Sequence, residues 1–175
     1  MPVEIKKAEP SDAKSFARIN EVIWGTPATK SIIDYFTKGI SLFRDGYYLA
    51  ESKGVFVGSS EGFPIREKMP ISILAEIENP VDLFEPEGRY YYIHIIQVYP
   101  EFRNMGIGDM LLKTQIDVAR SLHIPQVCGI AISNQLGHWV KSGFSVEGQE
   151  WETYKDFGLF KWVSMALPQS CQRSF

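Results

Sequence analysis

The fold of this chain is decided by the segment YYYIHIIQVYPEFRNMGIG, which spans residues 90–108. Its first part, up to Val98, is mostly apolar and rich in β-branched and aromatic side chains, which predicts a buried central strand. Gly106 and Gly108 then precede a stretch with helical spacing of apolar residues that runs to about Leu122. The first amides of a helix lack intrahelical partners, and the helix dipole adds positive charge beside them. Strand, glycine-bearing turn and helix therefore predict a cradle for a pyrophosphate.

Composition places the chain among globular proteins with a substantial core. It has 175 residues, of which 45% are apolar and 22% charged, so we expect one domain over residues 1–167 and a loose tail at 168–175. A net charge of −3 predicts no nucleic-acid partner. The first residues lack an apolar signal core, and no window approaches the ~18 consecutive apolar residues of a membrane span, so we expect a cytoplasmic protein with no membrane partner.

The cysteines predict neither a disulfide nor a metal site. Cys128 lies in an apolar strand pattern, which favours a buried thiol, and Cys171 is far from it in sequence. No CxxC pair or other metal-ligand spacing occurs, so we expect a reducing compartment and no metal.

Apolar periodicity and turn residues predict the remaining elements. We expect an α/β fold of the α+β type, with a mixed central sheet of about six to seven strands flanked by about four helices. Residues 64–89 are irregular and rich in proline, and 71–77 fit either a strand or a short helix. The other predicted elements in the first half are an edge strand at 3–8, helices at 11–24 and 29–38, and a hairpin at 47–52 and 55–62. Those in the second half are a strand at 126–132, a short helix that is capped by Ser133 or Asn134 and ends at Ser142 with Gly143 as its left-handed cap, and a final hairpin at 144–151 and 159–167.

Two familiar phosphate loops do not fit the glycine turn. A Walker loop needs Gly-x-x-x-x-Gly-Lys-Ser/Thr, and the chain has no such run. A dinucleotide-binding turn needs a third small residue, whereas Leu111 stands at that position after Gly106 and Gly108. What remains is the pattern Arg/Gln-x-x-Gly-x-Gly/Ala after a strand, with Arg103 as its first residue.

This pattern and its flanks resemble the GNAT superfamily of N-acetyltransferases. Residues 98–108 are similar to the family's segment from strand 4 to helix 3, and Asn134 with residues 141–144 is similar to its following strand-helix-strand element. The order of predicted elements matches the family over nearly the whole chain. The resemblance implies acetyl-CoA as cosubstrate, with its pantetheine arm in a gap between splayed strands 4 and 5. It implies cofactor contacts from Val98, Arg103, Asn104, Met105, Gly106, Ile107, Gly108, Asp109 and Asn134.

Simpler interpretations of the same residues stay open. Gly106 and Gly108 could serve an ordinary strand-to-helix turn. Asn134 could be a helix N-cap alone, and Arg103 could pair with Glu101 or be solvated.

For catalysis, the resemblance implies transfer of an acetyl group from acetyl-CoA to a primary amine by direct attack in a ternary complex. The amine must lose a proton before it attacks, and His94 is our candidate base, alone or through water. Alternation along the strand predicts that Tyr92, His94, Ile96 and Val98 share one face, and arylalkylamine-type members carry an imidazole at the position of His94. His94 could equally be a core histidine. Glu76 and Glu78 are weaker candidates through a water chain.

The general acid is where the chain departs from the family. Many members have Tyr at the position of Trp139, and an indole has no titratable proton to give. Trp139 could pack against the cofactor while water protonates the sulfur, or Tyr154 could act as the acid. The alternative function is a non-catalytic acyl-CoA-binding sensor or regulator on the same fold, and an interaction module that has lost cofactor binding is a further rival.

The acceptor is predicted as a small-molecule or peptide amine. In the family, the first two helices and the final hairpin shape the acceptor pocket. Aromatic and acidic side chains on these elements would suit an amine on an apolar body: Trp24, Tyr35, Phe36, Trp151 and Tyr154, with Glu21, Asp34, Glu150 and Glu152. Dimers are common in the family, but no residue here decides whether the chain forms a homodimer.

Overall fold

The computed structural model describes residues 2–148, 151–153 and 158–168. The strands in this part of the chain are β1 (Glu4–Lys7), β2 (Tyr47–Ser52), β3 (Val55–Ile65), β4 (Tyr90–Val98), β5 (Gln126–Ile132), β6 (Ser145–Val146), β7 (Glu152–Thr153) and β8 (Leu159–Ala166). The α-helices are α1 (Ala13–Trp24), α2 (Lys30–Leu42), α3 (Ile71–Leu74), α4 (Ile107–Ser121) and α5 (Leu136–Lys141). The strand order is β1-β2-β3-β4-β5-β8-β6, with β7 paired to β8. The predicted α/β class with one mixed central sheet is confirmed.

The chain divides into two compact units, residues 1–63 with 93–118 and residues 64–92 with 119–175. In the first unit β1, β2 and β3 form an antiparallel ladder, with Ile5 opposite Ala50 and Tyr48 opposite Ser60. Helices α1 and α2 bring Phe16 to 5.3 Å from Phe36, measured between ring centroids. A separate cluster joins Ile107 and Leu111 of α4 to Ala50 and Val57. These buried side chains hold α2 and α4 against β2 and β3.

The second unit contains the proline-rich segment and the final strands. β5 and β8 pair antiparallel, with Cys128 opposite Ser164. The segment 64–89 forms the short helix α3 and the 3-10 turn Pro80–Leu83, which decides between the two predictions for residues 71–77 in favour of the helix. The Trp162 indole N–H donates to the Met69 carbonyl at 2.9 Å, so this segment is tied to β8 and is not a free linker.

Two local predictions need correction. The second helix was expected to end near Lys38, but α2 continues to Leu42 because Gly39 and Ile40 extend its buried face. A Cβ at Gly39 would lie 2.1 Å from the Tyr47 hydroxyl oxygen, so glycine allows this close contact. Neither Ser133 nor Asn134 caps α5, since a 3-10 turn places Gln135 at the N-cap. Among the described residues, none of the helices combines the length and apolar character needed to cross a membrane.

Candidate functional site

A buried polar cluster lies on β3 and β4 of the first unit. His94 Nδ1 contacts Glu61 Oε1 directly, and the Tyr35 hydroxyl of α2 donates to the same carboxylate oxygen at 2.8 Å. The Tyr35 oxygen is also 3.5 Å from His94 Nδ1. The Glu61 side chain is 1% exposed and that of His94 is 11% exposed. The three side chains therefore form one connected group with the carboxylate at its centre.

A second polar group lies two residues earlier on β3. Gln97 Nε2 donates to the Ser59 hydroxyl at 3.0 Å, and the Trp24 indole N–H donates to Gln97 Oε1 at 2.9 Å. Because side chains alternate along a strand, Ser59 and Glu61 lie on the same face of β3. Trp24, at the end of α1, is 37% exposed. Its indole is thus fixed at one end by a buried amide while part of the side chain stays in solvent.

The face that His94 occupies differs from our prediction. Ile96 and Val98 pack with the cluster that contains Leu111 of α4, on the other side of β4 from Gln97. His94 and Gln97 are three residues apart, yet both contact the Ser59 and Glu61 face of β3. Regular alternation would place them on opposite faces, so the pleat is interrupted between them, as at a β-bulge. The prediction that His94 shares a face with Ile96 and Val98 is therefore wrong.

The glycine turn leads from the end of β4 into α4. Gly106 has φ +78°, and Asn104 has φ +61°. The first helical hydrogen bond runs from the Met110 amide to the Gly106 carbonyl at 3.0 Å, so the amides of residues 107–109 precede it. A Cβ built on Gly106 or Gly108 would meet no atom within 4 Å. The loop thus presents an open surface at both glycines.

Two contacts hold this loop in place. Ile107 is 1% exposed and anchors the first turn of α4 in the core. Arg103 Nε donates to the Val98 carbonyl at 3.2 Å, which links the start of the loop to the last residue of β4. The Arg103 side chain is exposed beyond this bond, as are Asn104, Met105 and Asp109. The predicted loop residues therefore lie together, at the N-terminus of a helix of 15 residues.

Comparison with known proteins shows the family of this chain. The model of the acetyltransferase (GNAT) family matches residues 13–136. The chain belongs to the GNAT acetyltransferase family. The match covers the polar cluster and the glycine loop. None of the curated proteins matches the sequence.

Solved structures with this fold are similar over nearly their whole length. yncA from Salmonella typhimurium, solved with its cofactor acetyl-CoA, has a TM-score of 0.68 and 18% identity, covering 99% of both chains. Naa50 from Arabidopsis thaliana, in complex with the bisubstrate analogue CoA-Ac-MVNAL, has a TM-score of 0.67 and 15% identity, covering 95% of this chain and 100% of that one. The GNAT-like decarboxylase GphF, in complex with isobutyryl-CoA, has a TM-score of 0.73 and 20% identity, covering 93% of this chain and 98% of that one. At these identities the likeness shows the GNAT fold.

The remaining predicted residues of this GNAT chain lie in the second unit or outside the description. Asn134 is exposed in the 3-10 turn Ser133–Gln135 that follows β5. Trp139 is 8% exposed, and its ring meets that of Phe144 edge-on at 4.8 Å, so it packs in the core of its own unit. Glu76 and Glu78 are exposed on the proline-rich segment. Tyr154 lies outside the described residues.

Cys128 is free and buried, as predicted. Burial raises the pKa of its thiol, so little of the nucleophilic thiolate forms near neutral pH. No group of three or more His, Cys, Asp or Glu side chains within the described ranges is arranged to hold a metal ion.

Sequence reasoning missed Glu61 and Gln97. The available signal was the run Ser59-Ser60-Glu61 inside a strand that is otherwise apolar or glycine. Polar groups in a buried strand need partners, so such a run points to a buried hydrogen-bond network.

Proposed function

We propose that this GNAT protein is an N-acetyltransferase that moves an acetyl group from acetyl-CoA to a primary amine by direct attack in a ternary complex. The open glycine loop at residues 103–109 carries the proposal. In the balanced reaction an ammonium group loses two protons and forms a nitrogen–carbon bond. The carbon–sulfur bond breaks, one proton goes to the sulfur, and one is released to solvent.

The donor fits the loop in charge and in space. Acetyl-CoA supplies an activated thioester carbonyl and a pyrophosphate. The amides of residues 103–109 and the positive end of the α4 dipole would hold the pyrophosphate, and the lack of side chains at Gly106 and Gly108 allows it to approach. By family position, the Val98 amide would donate to the thioester oxygen and Asn134 would contact the pantetheine arm.

His94 is proposed as the general base, directly or through one water. An alkyl ammonium has a pKa of about 10.4, so a base must remove a proton before the nitrogen can attack. His94 Nδ1 contacts Glu61, and with the ring hydrogen on that nitrogen the lone pair of a neutral imidazole lies on Nε2, which is the nitrogen proposed to accept the proton. The alternative, a core histidine with no role in the reaction, predicts that replacing His94 changes stability but not the rate of the chemical step.

The departing sulfur needs little help. A free thiol has a pKa of about 8.5, so a thiolate is an adequate leaving group and water can protonate it. Trp139 cannot supply that proton, since an indole N–H does not titrate and the side chain packs on Phe144. Tyr154 stays a candidate acid by sequence alone.

The acceptor is proposed to be a small-molecule or peptide amine. The exposed part of Trp24 would offer an aromatic surface to the apolar body or cationic head of such an amine. No metal is proposed to take part.

Thiol release from acetyl-CoA tests the proposal with a panel of polyamines, arylalkylamines, aminoglycosides and peptide N-termini. We expect at least one class of amine to give turnover with the wild-type protein. The rate of thiol release should fall on the order of 100-fold or more in His94→Ala. Undiminished turnover in His94→Ala would refute the base assignment.

The rival functions give different results in the same panel. Acetyl-CoA binding without thiol release from any amine would favour the sensor. No thermal stabilisation by millimolar CoA would favour the interaction module, because a ligand at 100 times its Kd adds about 2.7 kcal/mol to the unfolding free energy.

A further inference from the structure

We propose that Glu61 and Tyr35 are positioning residues that fix the tautomer and orientation of His94. This inference rests on the proposed role of His94 as base. The observation behind it is the convergence of the Tyr35 hydroxyl and His94 Nδ1 on a single oxygen of a buried carboxylate.

The chemistry of the three groups assigns the proton. Glu61 Oε1 accepts the Tyr35 hydroxyl hydrogen at 2.8 Å. His94 Nδ1 contacts the same acceptor oxygen, so the ring hydrogen lies on Nδ1. In a neutral imidazole the lone pair then lies on Nε2. The arrangement thus keeps the basic nitrogen on the side of the ring opposite Glu61.

Burial excludes direct contact between Glu61 and an acceptor. Its side chain is 1% exposed, and Oε2 is buried with no hydrogen-bond partner among the described residues. A buried carboxyl group with an oxygen that lacks a hydrogen-bond partner contributes little to stability, since apolar side chains of similar volume often stabilise a core more. The contact with His94 gives a reason for a carboxylate at this place in an apolar strand.

Helix α2 holds the outer member of the group. The Tyr35 ring meets Phe36 edge-on with a centroid distance of 5.0 Å, and Phe36 is buried in the core of the same unit. The His94 ring lies 6.3 Å from the ring of Phe63, which confines it on the side of β3. Packing thus limits the movement of both neighbours of the carboxylate.

The direct test is the tautomer of His94, measured by long-range 1H–15N correlation on histidine-labelled protein at a pH where imidazole is neutral. His94→Ala assigns the resonance among the three histidines. We expect the Nδ1–H tautomer in the wild type and a shift toward Nε2–H in Glu61→Leu. The same tautomer in both proteins would overturn the inference. If Glu61→Leu does not fold, Glu61→Met, which also lacks an acceptor oxygen, replaces it, and a spectrum identical to wild type would count against the inference in the same way.

Kinetics give a second readout once an acceptor is known. We expect Glu61→Leu to lower kcat by on the order of 10–100-fold, part of what a general base contributes, with an unchanged KM for acetyl-CoA. Tyr35→Phe should lower kcat by less, because it removes one hydrogen-bond donor to Glu61 and leaves the carboxylate beside His94. Full kcat in Glu61→Leu would overturn the inference.

Ser60→Ala is the matched control. Ser60 is adjacent to Glu61 but faces α4, where its hydroxyl accepts from Gln115 Nε2 at 2.8 Å. This variant also disturbs a buried hydrogen bond of β3, yet it should leave the His94 tautomer and kcat unchanged. A change in tautomer equal to that of Glu61→Leu would show general damage to β3 and overturn the inference. If no amine gives turnover, the proposed function fails while the tautomer still decides the role of Glu61.

Discussion

The Trp24 indole N–H donates to Gln97 Oε1 at 2.9 Å, joining residues 73 apart in sequence. Gln97 is 4% exposed and also donates to Ser59, so the end of α1 is tied to β4 and β3 by one buried amide. A buried amide that satisfies two partners is costly to replace, because each partner then loses its hydrogen bond in a place that water reaches poorly.

Replacement of Gln97 by Leu should lower the unfolding free energy by about 1–3 kcal/mol, since Trp24 and Ser59 both lose this partner. Urea unfolding followed by fluorescence measures the change. Trp24→Phe is the matched control. It removes the indole donor of the hydrogen bond to Gln97 from a side chain that is 37% exposed to solvent, so the unfolding free energy should fall by less. Equal stability of Gln97→Leu and wild type would contradict the prediction.

Gly108→Leu should separate binding from folding. Gly108 is helical, a Cβ there meets no atom within 4 Å, and leucine is a good helix former, so the unfolding free energy should stay constant or rise by up to about 1 kcal/mol. The added side chain, larger than the glycine or alanine of the loop pattern, occupies the proposed pyrophosphate space, and we expect the Kd for CoA to rise by about tenfold or more, which is about 1.4 kcal/mol. Titration calorimetry measures the affinity. Unchanged affinity would argue against pyrophosphate binding at this loop.

Gly106→Ala should lower both the stability of the fold and the affinity for CoA. With φ at +78°, an alanine there costs roughly 1–2 kcal/mol of stability. Gly54, in the turn between β2 and β3, has the same φ of +78° and serves as the control. Gly54→Ala should lose similar stability and keep its affinity for CoA. A parallel loss of affinity in both variants would mean that strain, and not the loop surface, governs binding.

The ion pair of Lys68 and Glu147 should make stability depend on pH. Burial acts to raise the pKa of Glu147, but hydrogen bonds from Lys68 and Ser164, with the Lys68 charge, lower it overall. A carboxyl whose pKa is lower in the folded state stabilises the fold above its unfolded pKa of about 4.3, and loses that contribution as pH falls through the folded value. The difference in unfolding free energy between wild type and Lys68→Met should therefore shrink below about pH 4.3.

The slope with pH is the decisive quantity for this pair. Lys68 also lies 5.1 Å from the centre of the Tyr90 ring, and loss of that contact adds an offset that does not depend on pH. Arg66→Met is the control, because the Arg66 side chain is 78% exposed in its pair with Glu85. It should show little change at any pH. A difference for Lys68→Met that is constant from neutral to acid pH would contradict the prediction.

Cys128 should resist thiol reagents in the folded protein. Burial raises the pKa of its thiol, so the reactive thiolate is scarce even in mildly alkaline solution. In a Cys171→Ser background, we expect no labelling by iodoacetamide until guanidinium chloride unfolds the chain. Rapid labelling under native conditions would show that β5 opens or that the thiol is not buried.

Much of the fold followed from local pattern. The strand at 126–132 has the bounds predicted for it, and α4 begins within one residue of the predicted start. Gly143 has φ +95°, as predicted for the left-handed residue that follows the short helix α5. Apolar spacing and turn residues specify such features over a few positions, because backbone hydrogen bonds in helices and the dihedral limits of turns are local.

The partners of His94 could not be found in this way. Glu61 is 33 residues and Tyr35 59 residues from His94 in sequence. The break in alternation between His94 and Gln97 depends on how β4 pairs with its neighbour, and one extra residue moves a side chain to the other face.

The sequence by itself determined the strand, glycine turn and helix of residues 90–121, and with them the family and the place proposed for the donor, because a pyrophosphate cradle is made of consecutive backbone amides. Only the tertiary structure decided which face of β4 His94 occupies. It also brought Glu61 and Tyr35 together with His94, and Gln97 together with Ser59. Side-chain hydrogen bonds between distant elements depend on strand register and helix packing, and these are settled only when the whole unit is folded.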